Sequence, residues 1–167
     1  MAAITVESVK VKYLREKYAD VDMDLERWFA MPNHVYTGRP GRVFIGTGAD
    51  KHVFHYPGSK WANPYPVKEG TYTLGESLSL YITHLFESGL IASLGELDGQ
   101  TLGCFCTPAA QKNDWCHASI LQRLATTYKD SVTEYLATQD DEIIYNLRTD
   151  LGFPSDADLD AGDLIYS

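Results

Sequence analysis

A chain of 167 residues with 44% hydrophobic and 12% aromatic content carries the apolar material for one folded domain and is too short for two of ordinary size. Its formal charge of −9, from 14 basic and 23 acidic residues, argues against a protein built to grip nucleic acid in bulk, since that affinity comes from neutralising phosphates with Lys and Arg. The opening MAAITVESVK lacks a sustained apolar core and no run approaches bilayer length, so the expected setting is the cytoplasm, without a membrane partner.

The charge is unevenly placed. Residues 140–167 hold eight carboxylates against Arg148 alone, whereas 1–139 is close to neutral. This divides the chain into an expected α/β domain, 1–139, and a partly ordered acidic tail, 140–167. Three cysteines are an odd number, and the close Cys104/Cys106 pair would make a strained bridge, so free thiols or a metal fit better than a disulfide framework.

In chain order, Val6, Val9 and Val11 predict a first strand over 4–14, with a phase slip near Ser8. Leu25, Trp28 and Phe29 at helical spacing, with Asp22 or Asp24 as cap and Pro32 beyond, predict a short helix over 20–30. His34–Gly38 and Arg42–Gly46 are brief β-type runs around Arg39-Pro40-Gly41, most simply a hairpin, and 51–56 suits a further strand. Residues 57–66, PGSKWANPYP, contain three prolines and predict an ordered loop of the kind that lines sites.

Leu74, Leu78, Tyr81, Ile82, Leu85 and Phe86 form the stripe of a helix over 74–88, opened by the Thr73/Glu76 capping box and closed at Gly89. Residues 90–97 suit one further turn, and Asp98-Gly99 leads into a strand over 101–106. A second helix starts near Trp115, with Ile120, Leu121, Leu124 and Tyr128 on its stripe, and continues, bent, through Tyr135 and Leu136. Ile143, Ile144 and Leu147 suit a short docking helix. Asp156, Asp158 and Asp160 copy the start of an EF-hand loop but lack its Gly and final Glu, so a solvated tail is the reading. The expected fold is a compact α/β domain with a small mixed sheet, two main helices and an acidic C-terminal extension.

Two sets of residues carry chemistry. Cys104, Cys106, Cys116 and His117 converge on one strand, loop and helix start, and three readings stay open for them. They are a Cys3His donor set for zinc; a nucleophilic or redox thiol at Cys116, favoured by a helix N-terminus and served by His117 as base; or small core hydrophobes. Arg39, Lys60, Trp61 and Asn63 combine a planar fork, a point charge, a stacking face and an amide edge, which suits a nucleotide or sugar phosphate. Against this, Trp61 belongs in the core, Asn63-Pro64 shapes a turn, and the two cations are solvated.

The blocks VYTGR (Val35 to Arg39), SKWANPY (Ser59 to Tyr65) and LGCFC followed by CH (Leu102 to Cys106, Cys116, His117) together resemble a family catalogued as domain of unknown function 4326. The order of blocks and helices agrees from about Val9 to Leu124. Ala62 and Phe105 stand where that pattern has Gly and Trp, Gln100 replaces a Lys, and the Cys106–Cys116 link is longer. The resemblance implies an architecture and a residue set, without a substrate. The functional expectation is therefore an enzyme, a hydrolase or group transferase, acting on a nucleotide, nucleoside or phosphorylated small molecule. Cys116 and His117 are its catalytic candidates; Arg39, Lys60, Trp61 and Asn63 its binding candidates; zinc its candidate cofactor. The alternative is a binding module braced by a structural zinc site or by core cysteines.

Overall fold

The structure, a computed structural model, describes residues 3–68, 70–113 and 115–153. Its centre is a parallel three-stranded sheet in which β1 (Thr5–Ser8) and β2 (His34–Tyr36) flank β5 (Thr101–Cys104). The register pairs Ser8 with Cys104 and Tyr36 with Gly103, so all three strands finish at the same edge. A separate antiparallel pair, β3 (Gly41–Ile45) and β4 (His52–Tyr56), lies beside it. The expected single mixed sheet is thus two sheets, each of one kind.

The first expected strand is cut short. β1 stops at Ser8, where the alternation slips, and α1 (Val11–Lys17) takes the second half, burying Leu14 and leaving Val11 47% exposed. Asp24 accepts from the Arg27 N–H at 2.8 Å and caps α2 (Leu25–Ala30), which buries Leu25 and Trp28.

The expected hairpin across Arg39-Pro40-Gly41 does not form. A two-residue hairpin needs left-handed backbone at its tip, and neither Gly38 nor Gly41 has positive φ. Those angles occur at Gly46 (φ 83) and Gly48 (φ 58), and there the chain turns through the 3-10 helix Gly48–Asp50 to pair β3 with β4. β2 is left to join β5 instead.

α3 (Leu74–Glu87) carries the capping box in full, with Thr73 and Glu76 exchanging hydrogen bonds of 3.1 and 3.2 Å, and buries the whole predicted stripe. A 3-10 helix, Leu90–Leu97, follows. Beyond β5, Thr107 caps a short α4 (Pro108–Lys112), inside the longer Cys106–Cys116 link, for which no element is read from the sequence. The expected long second helix is two: α5 (His117–Ala125) ends at Thr126, whose φ −117 and ψ −80 are not helical, and α6 (Lys129–Thr138) restarts after Tyr128. α7 (Asp141–Leu151) buries Ile144 and Leu147 and ties Arg148 to the Thr83 hydroxyl of α3 at 3.1 Å. Seven α-helices among the described residues replace the expected two main ones. The acidic run with Asp156, Asp158 and Asp160 lies outside the described residues.

Leu78, Tyr81, Ile82 and Leu85 of α3 pack with Leu102 of β5 and Ile120, Leu121 and Leu124 of α5 in the main core. Each such aliphatic side chain contributes about 1.5–3 kcal/mol on burial. A smaller cluster joins Val9, Leu14, Trp28 and Tyr36 on the β1–β2 side. Gly103 lets β5 lie close against this cluster, since a Cβ there would collide with the Trp28 ring and Val9. Among the described residues no helix is long and apolar enough to cross a membrane.

Candidate functional site

Cys104 is the last residue of β5; the chain leaves the sheet through Phe105 to Cys106, and α4 carries it back to Cys116 at the N-cap of α5. Strand alternation would set Cys104 and Cys106 on one face, and the bend after β5 keeps them together. The sulfurs of Cys104, Cys106 and Cys116 all lie within 4.8 Å of one another, each residue 0% exposed and each thiol free. Cys104 Sγ and Cys116 Sγ are 2.9 Å apart. A tetrahedral zinc with bonds of about 2.3 Å needs sulfurs about 3.8 Å apart. The Cys104–Cys116 pair is shorter than that value and the whole set spans no more than 4.8 Å, so the donor set fits the ion after side-chain rotations that part this pair.

Burial opposes ionisation of all three sulfurs. At Cys104 it is outweighed by hydrogen bonds from Cys106 and Cys116, which hold this thiol well below the ordinary range. Cys106 and Cys116 are pushed well above it, first by burial and then by the Cys104 sulfur. The cluster therefore favours one thiolate, on Cys104. Helix-terminus activation at Cys116 is overridden by its burial.

His117 opens α5, with Nε2 2.6 Å from the Thr37 carbonyl oxygen and its ring edge-on to Tyr81 at 5.5 Å. A carbonyl only accepts, so Nε2 carries the proton and Nδ1 is the basic nitrogen. Burial lowers the pKa of the ring and keeps it neutral. Its nitrogens fall outside the set of ligand atoms that lie within 4.8 Å of one another.

The loop residues are engaged differently. Arg39 donates from Nε and Nη2 to the Asn63 carbonyl oxygen at 3.2 and 2.9 Å. Asn63 is 6% exposed: its amide nitrogen donates to Ser77 Oγ at 2.9 Å and its amide oxygen accepts from the Tyr65 N–H at 3.0 Å. Trp61 is 2% exposed within the main core. Lys60 Nζ lies 2.6 Å from Glu96 Oε2 and over the Trp61 ring.

Loop and cysteine cluster are nevertheless contiguous. Tyr81 donates to the Trp61 carbonyl oxygen at 2.6 Å while its ring packs on His117, and burial, with the Cys116 and Cys104 sulfurs, keeps its hydroxyl protonated. Thr37 links both to β5, donating from backbone and hydroxyl to the Gly103 carbonyl oxygen at 2.9 and 3.1 Å.

Three participants are not among the candidate site residues read from the sequence. Thr37 and Tyr81 read as strand-end and helix-stripe residues. The third, Gln111 of α4, donates from Nε2 to Cys104 Sγ at 3.2 Å. Its position inside the lengthened Cys106–Cys116 link is the available hint.

Residues 22–127 match the family described as Domain of unknown function (DUF4326). An uncharacterised protein, R718, of Acanthamoeba polyphaga mimivirus is 30% identical over 86 residues, covering 49% of this chain and 65% of that protein. The chain thus spans just under two thirds of the length of the curated relative it matches. No solved structure matches the chain.

Proposed function

The chain belongs to the DUF4326 family, whose description carries no activity, and from the centre itself we propose a zinc enzyme. Its reaction is hydrolysis or group transfer on a nucleoside, nucleotide or related phosphorylated small molecule. The observation that carries this is the meeting of three buried sulfurs while His117 Nε2 is taken by the Thr37 carbonyl. Three protein ligands leave the fourth tetrahedral position for water or substrate, the arrangement of catalytic rather than structural zinc. A bound zinc supplies a Lewis acid that lowers the pKa of water.

The location supports the same reading. The centre stands at the carboxyl edge of parallel strands, where open α/β sheets bind ligands. In this proposal Arg39 and Lys60 face a phosphate, while Trp61 and Asn63 hold the loop that carries them. His117, neutral with a basic Nδ1, is the general base, and Gln111 orients the Cys104 sulfur from outside the coordination shell.

A second reading, a binding module with a closed structural zinc, is favoured by the complete burial of all three sulfurs. Cobalt substitution separates the two. An open centre gives d–d bands that shift when azide is added; a closed one gives bands indifferent to azide. Protein purified under reducing conditions without any bound metal removes both readings.

A further inference from the structure

We infer that the groove where β1 meets α1 and α4 binds a neutral ribonucleoside, held by Glu7, Tyr13 and Gln111. This deepens the enzyme reading by choosing the nucleoside among its ligand classes, with no ligand phosphate for Arg39 and Lys60 to meet, and rests on that reading only for the chemistry that follows binding.

The groove has a volume of about 340 Å³, within the range of small-molecule sites, and sits at the carboxyl end of β1. Its floor is a prepared acceptor. Glu7 is 7% exposed, and its carboxylate is fixed by the Tyr18 hydroxyl at 2.8 and 3.2 Å, the Trp28 indole N–H at 3.1 Å and Lys17 Nζ at 3.4 Å. The two closest donors fall on Oε2, while Oε1 takes the longer contacts, the Tyr18 hydroxyl at 3.2 Å and the half-exposed Lys17 Nζ at 3.4 Å, and Lys17 is the partner that a ligand hydroxyl would replace.

The walls hold groups that the fold does not use. The Gln111 carboxamide is anchored through Nε2 to Cys104 Sγ, and its oxygen takes no hydrogen bond among the described residues. The Tyr13 hydroxyl and the Glu16 carboxylate likewise have no hydrogen-bond partner there, and both line the groove. Tyr13 adds a flat ring for stacking.

Charge decides the class of ligand. Glu7 and Glu16 outnumber Lys17, which already leans on Glu7, so a phosphate is repelled while hydroxyl donors are welcomed. Carboxylates of this kind take the hydroxyls of a ribose diol. A flat base for Tyr13, an amide edge for Gln111 and a diol for the carboxylates together describe a ribonucleoside. Gln111 then joins the ligand to the Cys104 sulfur through one side chain.

The test is calorimetric titration of the full chain, as purified and after chelation, with adenosine, uridine and their 2′-deoxy counterparts. Ribonucleosides are expected to saturate, and loss of the 2′-hydroxyl, Tyr13→Ala or Gln111→Ala to weaken them each about tenfold, one good hydrogen bond or stack. Inorganic phosphate is expected not to compete. Tyr13→Ala, on the half-buried wall, is expected to leave thermal unfolding and metal content unchanged, so its effect reads binding alone. The assignment is overturned if no ribonucleoside binds at millimolar concentration, if affinity ignores both substitutions, or if phosphate displaces the ligand. Chelated protein that still binds ribonucleosides keeps the groove whatever becomes of the metal reading.

Discussion

The cysteine cluster and the SKWANPY loop are built from equally suggestive residues, and the fold treats them in opposite ways. Cys104, Cys106 and Cys116 are brought together from a strand end, a bend and a helix cap, with donor atoms facing one another. In the loop the most suggestive side chains face the protein: Trp61 fills the core, and both ends of the Asn63 amide are taken by Ser77 and Tyr65. Residue type marks a potential for chemistry. Whether the reactive atoms stay available is decided by neighbours distant in sequence.

Substitutions sharpen this contrast. The largest effect is expected at the cluster. Cys104→Ser should abolish zinc retention and lower stability by about 3 kcal/mol or more, since a ligand held at a hundredfold its Kd already contributes about 2.7 kcal/mol. Elemental analysis and denaturant unfolding under reducing conditions check it. A variant that keeps its metal would place the site elsewhere.

Trp61→Ala should cost about 3–5 kcal/mol, the price of a large core cavity, whereas a solvent-facing stacking residue would change stability by less than about 0.5 kcal/mol. Urea unfolding distinguishes these outcomes and so decides whether the loop aromatic belongs to the fold or to a ligand.

Asn63→Leu should cost about 1–3 kcal/mol, because it strands the Tyr65 N–H and leaves the Arg39 anchor loop without its tether to Ser77. Lys60→Ala, by contrast, removes a half-exposed ion pair with Glu96 worth at most about 1 kcal/mol. A comparable loss in both variants would contradict the division between a pinned amide and a surface cation.

The smallest expected effect lies at Tyr18, whose hydroxyl is raised to about 12 by burial, its hydrogen bond to Glu7 and the Glu7 charge. The folded state holds this proton more tightly, so its stabilisation is complete below the unfolded value of about 10 and is lost as pH rises towards 12. Tyr18→Phe should flatten that part of the stability profile, read as thermal midpoints from pH 9.5 to 12. An unchanged slope would mean that the Glu7 contact is absent in solution.

Local signals were legible where the chemistry was local. The capping box at Thr73 and Glu76 and the α3 stripe rest on spacings of three and four residues and appear as read, and of the two caps offered for α2, Asp22 and Asp24, the second is used. Pairing was not legible. Arg39-Pro40-Gly41 looks like a hairpin turn, yet β2 pairs with β5, His34 lying opposite Thr101, and the left-handed angles that permit a hairpin lie at Gly46 and Gly48. The α5–α6 break at Thr126 is likewise hidden, because the apolar stripe continues across it.

The site divides along the same line. Cysteine spacing pointed to the stretch whose three sulfurs cluster, while His117's engagement by Thr37 and the Gln111 contact to Cys104 depend on elements that only the tertiary structure brings together.

X-ray absorption spectroscopy of the zinc-loaded protein tests the proposed open three-sulfur centre most directly. The expected spectrum has three sulfur scatterers at about 2.3 Å and one oxygen or nitrogen at about 2.0 Å, with the light-atom shell unchanged in His117→Gln. A light-atom shell that carries imidazole scattering and disappears in His117→Gln would make the site a closed Cys3His centre and contradict the enzyme reading.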